Sequence, residues 1–117
     1  MIESQQLSCK VQINCRNTVL AVKSIESALI NQQLIRAFSR IESAQVAVVE
    51  LEVFLKESNL LDGQVVLFLK AASELLNQVW SAFTTHRTTS GIFEYCMIKR
   101  VLLALEELEK HLGQQVK

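Results

Sequence analysis

The chain has 117 residues, no proline, only three glycines and a hydrophobic half, with 12 basic and 12 acidic side chains that cancel. That length supports one domain with a sizeable core. The composition excludes a disordered chain, a collagen-like repeat and, with only three cysteines, a disulfide-stapled scaffold. Balanced charge gives no basic footprint, so nucleic acid stays a remote partner and a weak accessory binding role is the last of the functional readings.

Met1-Ile2-Glu3-Ser4-Gln5-Gln6 lacks the basic start and apolar run of a secretory signal. The longest apolar run, Val65 to Leu69, has five residues, against about 20 for a membrane span. A soluble, cytoplasmic protein is expected, with no membrane partner and with Cys9, Cys15 and Cys96 as free thiols.

Residues 7–15 satisfy two patterns. Leu7, Cys9, Val11, Ile13 and Cys15 alternate with polar residues, as in a strand, while Leu7, Val11, Cys15, Val19 and Val22 keep helical spacing. A lone strand has no partner elsewhere in the chain. The helical reading is preferred, with an extended or frayed arm over 1–16 as its rival. Val22, Ile25 and Leu29 continue in helical phase, which shifts across Asn31-Gln32-Gln33.

From Leu34 a heptad runs through Ile41, Val48 and Leu55 at one position and Ala37, Ala44 and Leu51 at the other, thickened by Phe38, Val49 and Phe54. Ser58-Asn59-Leu60-Leu61-Asp62-Gly63 breaks the chain, and Asp62 is placed to cap the next helix. That helix carries Val65, Leu69, Ala72, Leu76, Val79 and Phe83 on one stripe. After the polar segment 84–91, a last helix is expected from near Ser90, with Thr88, Thr89 or Ser90 as its cap, to Gly113 as its C-terminal stop. It shows two adjacent seams, one through Tyr95, Ile98, Leu102, Leu105 and Leu112, the other through Met97, Val101, Ala104 and Leu108.

These elements predict an all-α fold: a single helical domain over 1–117, built as an antiparallel bundle of three or four long helices. Four helices near 4–30, 33–58, 63–84 and 90–112 in up-down-up-down order are preferred. The alternative is one long helix over 17–58 plus two helices completed by dimerisation. The pattern resembles that of many small bacterial helical bundles, a likeness of architecture that carries no activity with it.

Chemistry-bearing motifs are sparse. Glu107 and His111 lie four apart on one helix and are the only weak metal candidates, but a stable site needs at least three protein ligands. Glu106 and Glu109 flank them, and no Glu-x-x-His spacing occurs, so a solvated acidic face is the simpler expectation. Cys96 sits among Phe93, Tyr95, Met97 and Ile98 and reads as a small core residue. Neither histidine follows an arginine at the spacing of helical nucleases, and three scattered glycines make no phosphate-cradling loop. His86, Arg87 and Ser90, ahead of a helix start, form a possible anion site. No cofactor is implied.

Charge is uneven along the chain. Residues 1–40 carry Lys10, Arg16, Lys23, Arg36 and Arg40 against Glu3 and Glu26, whereas 41–57 carry Glu42, Glu50, Glu52 and Glu57 against Lys56. That polarity favours an antiparallel contact, between helices or between copies. Apolar residues also exceed what one face of each helix can hide, so a two-fold homodimer is expected, through Leu34, Phe38, Ile41, Val48 and Leu55. The functional expectation is a non-catalytic module for self-association or for binding another helical protein. The alternative is a metal- or phosphate-handling enzyme using the C-terminal glutamates and His111.

Overall fold

Apolar residues recurring every three to four positions wind four stretches into helices: α1 (Ile2–Ile30), α2 (Leu34–Glu57), α3 (Gly63–Thr85) and α4 (Ile92–Gln115). They are seen in a computed structural model that describes residues 2–85 and 91–115. Contacts join α1 to α2, α2 to α3, α3 to α4 and α4 back to α1, while the diagonal pairs do not meet among the described residues. Short turns and this cyclic order make an antiparallel up-down-up-down four-helix bundle, measuring 52 × 24 × 18 Å. The contact between α2 and α3 is the thinnest of the four.

The long-helix alternative fails at Gln32. Its φ of 58° is left-handed, and two hydrogen bonds close the end of α1: Gln33 N–H donates to the Ala28 carbonyl at 2.8 Å and Gln32 N–H to Leu29 at 3.0 Å. This is a Schellman motif built without glycine. The same device ends α2, where Asn59 has φ 58°, Leu60 N–H donates to Leu55 at 2.9 Å and Asn59 N–H to Lys56 at 3.2 Å. Local backbone bonding stops both helices with no proline and no glycine at either stop.

The strand reading of 7–15 fails as well, because those residues belong to α1. Val11, Cys15, Val19 and Val22 are buried, whereas Ile13, which alternation would place with them, is exposed. The last helix differs at both ends. Gly113 lies inside α4, which runs on to Gln115. At its start the Gly91 carbonyl accepts the first helical bond, from Tyr95 N–H at 2.9 Å, so Gly91 takes the cap position expected of a hydroxyl residue. Gly91 has φ +72°, and a Cβ there would sit 3.0 Å from Leu34 Cδ2. Conformation and close approach to the α1–α2 turn both require glycine.

All four helices feed one core. Ile25, Ile41, Leu55, Leu76, Ile98 and Leu112 are fully buried in it. Both seams of α4 merge into a single broad buried face, because α4 packs against α1 and α3 at once. Its second seam therefore belongs to the chain's own interior and calls for no partner. Phe38 and Phe83 meet at 5.7 Å between ring centroids and close one end of the α2–α3 seam.

Asp62 performs the expected cap. Its Oδ1 accepts from Val65 N–H at 2.8 Å while its carbonyl accepts from Val66 N–H at 3.0 Å. Its Oδ2 lies 2.9 Å from His111 Nε2, so one carboxylate joins the start of α3 to the end of α4. The hydrogen bonds from His111 and then from Val65 hold the Asp62 carboxyl below its usual range.

Two outcomes follow from these turns. Gln32→Gly removes the left-handed strain and is expected to stabilise the chain by about 1 kcal/mol, read from the urea midpoint. Asp62→Ala is expected to lower the melting temperature at neutral pH. The Asp62 carboxyl is depressed in the folded state, so its contribution is complete above the ordinary carboxylate range and disappears as pH falls below it. The gap between the melting curves of variant and wild type should therefore narrow in strong acid.

Candidate functional site

The sequence of α2 contains two heptad seams. Leu34, Ala37, Ile41, Ala44, Val48, Leu51 and Leu55 form the first, and all but Leu34 are buried. Ile35, Ser39, Glu42, Val46, Val49, Val53 and Lys56 form the second at the same alternating spacing of three and four. At 100° per residue the two seams lie on nearly opposite sides of the helix. Burying the first in the bundle turns the second outward. Ile35 is 88% exposed and Val49 57%, with Val46 and Val53 about half exposed.

The adjoining flank of α3 extends this surface. Gln45 Nε2 donates to Asn77 Oδ1 at 2.7 Å across the thin α2–α3 contact, which fixes the antiparallel register of the two helices. Counting turns from that bond, Trp80 comes level with Glu42 and Val66 with Lys56. Trp80 and Val66 are each partly exposed, and Leu67 beside Val66 is more so. The five-residue apolar run of α3 thus splits, with Val65 and Leu69 inward, Phe68 half-buried and Val66 and Leu67 outward.

This placement corrects the expected interface. Ile41, Val48 and Leu55 are at most 2% exposed and belong to the chain's own core, while Leu34 and Phe38 are half-buried against it. The heptad that looked like a docking seam is the one that closes the bundle. Val49, counted with that interior stripe, is instead on the outside.

The C-terminal glutamates do not converge. Glu107 pairs with Lys110 one turn along its own helix at 3.7 Å, Glu109 reaches Arg16 of α1 at 3.6 Å, and His111 turns away to Asp62 and the Phe68 ring. Glu106 is exposed. Among the described residues no group of three or more His, Cys, Asp or Glu side chains is placed to hold a metal ion. The anion site expected at His86, Arg87 and Ser90 lies outside the described residues.

A half-open cavity of about 380 Å³ lies between α1 and α4, over Val11 and Val19 and rimmed by Arg16, Lys23, Glu106 and Glu109. Its α1 wall supplies the cations Arg16 and Lys23, and its α4 wall supplies Glu106, Glu109 and Lys110. Farther along the same seam Lys99 Nζ sits 2.6 Å from Glu26 Oε2, and this contact holds the ammonium above its usual pKa. Two ion pairs, Arg16–Glu109 and Lys99–Glu26, thus join α1 to α4 along this seam.

One cysteine departs from the expectation. Cys96 is exposed on the outer side of α4, and Cys15 is the buried thiol. Burial first, and the Glu109 carboxylate second, push the Cys15 thiol up to about 12. Against family models, curated proteins and solved structures the chain gives no match. No helix among the described residues is long and apolar enough to cross a membrane.

Alkylation tests this burial. With iodoacetamide at pH 8, Cys9 and Cys96 are expected to label in the folded protein and Cys15 only after denaturation. Intact-mass analysis should then show two adducts before unfolding and three after it.

Proposed function

We propose that this protein is a non-catalytic self-association module whose contact surface is the outer face of α2, flanked by α3, and whose partner is a second copy of the chain. The observation that carries the reading is the Val46, Val49 and Val53 seam, which keeps heptad spacing on the solvent side of a helix whose other heptad seam is already buried. Such spacing suits a helix facing another helix. The surface is also large enough. A 24-residue helix is about 36 Å long at 1.5 Å per residue, and two neighbouring helices give a face about 20 Å wide. That approaches the roughly 800 Å² that each partner buries in a stable complex. A closed two-fold pair covers the same patch on both copies at once.

The metal- or phosphate-handling alternative draws no support from its own residues. Glu107, Glu109 and His111 turn to Lys110, Arg16 and Asp62 rather than to one another.

Light scattering coupled to size exclusion tests the reading with two variants. Wild type at micromolar concentration is expected to have the mass of two chains. Val49→Glu should have the mass of one chain and an unchanged helical circular dichroism signal. Ile41→Glu, which places the same charge in the interior, should unfold the chain. A wild type with the mass of one 13.2 kDa chain contradicts the proposal.

A further inference from the structure

We infer that Glu42 and Lys56 set the orientation of the paired chains, so that the second copy lies antiparallel along α2 with the two-fold axis near Val49. This rests on the self-association reading of the same face.

The two charges belong to the outer seam itself, one at each end of the valines. Glu42 comes seven residues before Val49 and Lys56 seven after it, so each stands about two helical turns from the centre. Both are exposed, and among the described residues neither makes an ion pair within its own chain. They are charges of opposite sign, placed symmetrically about an apolar centre and left unpaired by the monomer.

Only one orientation pairs them. Parallel α2 helices would set Glu42 beside the other copy's Glu42 and Lys56 beside its Lys56, two like-charge contacts at the rim. Antiparallel helices centred on Val49 set each Glu42 against the opposite Lys56 and bring each Val46 to within about 1.5 Å, one residue's rise, of level with the opposite Val53. The flank away from α3 agrees: Arg36 and Arg40 lie toward the start of α2, and Glu50 and Glu57 toward its end, so reversal again brings unlike charges together. Rim charges of this kind choose register and partner more than they supply affinity. They also act against unrelated apolar helices, which would leave Glu42 and Lys56 facing nothing of opposite sign.

Charge reversal tests the pairing. Dimer dissociation constants would be measured by sedimentation equilibrium for wild type, Glu42→Lys, Lys56→Glu and the double reversal, at low and high salt. Both positions are exposed, and circular dichroism checks that each variant is folded. Each single reversal creates two like-charge contacts and is expected to weaken the dimer by about tenfold at low salt, with a smaller effect at high salt. The double reversal should return to within about twofold of wild type, since it restores opposite signs at both contacts. Single reversals without effect, or a double reversal no tighter than the singles, would overturn the antiparallel assignment while leaving self-association standing. A monomeric wild type would overturn both.

Discussion

A helix in a four-helix bundle can hide only the stripe that faces its neighbours, and α2 brings two stripes. Its inner seam, from Ala37 through Ile41 and Val48 to Leu55, meets α1 on one side and α3 on the other and is buried to the last residue. The outer seam must then face water within a single chain, whatever its side chains prefer. The thin α2–α3 contact, the partial exposure of Trp80 and Val66 beside it and Glu42 and Lys56, which make no ion pair among the described residues, all lie on that same side of the molecule. By contrast, α4 also carries two apolar seams, but they are adjacent rather than opposite, and packing against two neighbours absorbs both.

The bundle can hold this arrangement because its closures are local. Two Schellman turns, at Gln32 and Asn59, reverse the chain through backbone bonds alone. Gly91 admits the close approach of the Leu34 and Leu29 side chains at the start of α4. Asp62 caps α3 and reaches His111, tying the second turn to the last helix. On the α1–α4 seam the pairs Arg16–Glu109 and Lys99–Glu26 tie the first helix to the last.

Much of this was legible in the sequence. Helical phase over Val65–Phe83 and the Leu34–Leu55 heptad gave α3 and α2 almost residue for residue, and Asp62 was visible as a cap. The break at 31–33 was legible as a shift of helical phase, but the left-handed glutamine that makes it was not, because such a residue has no sequence signature and tertiary closure has to supply the strain energy. Apolar counting found an excess on α2 but assigned it to the wrong seam, since a strong heptad looks alike whether it faces its own chain or another. The weaker outer seam, with Glu42 and Lys56 inside it, could be told apart only once the inner one was seen to be full. Cys96 was placed in the core for a similar reason: an apolar neighbourhood in sequence winds around the whole helix, and only the facing third of it is buried.

The central claim is that the outer seam of α2 is covered by a second copy of the chain. Small-angle X-ray scattering of the purified protein tests it most directly, because forward scattering gives mass and the low-angle slope gives size in one experiment. The account requires twice 13.2 kDa and a radius of gyration clearly above the 14.9 Å of one bundle. A mass of 13.2 kDa with a radius near 14.9 Å across the micromolar range would contradict it.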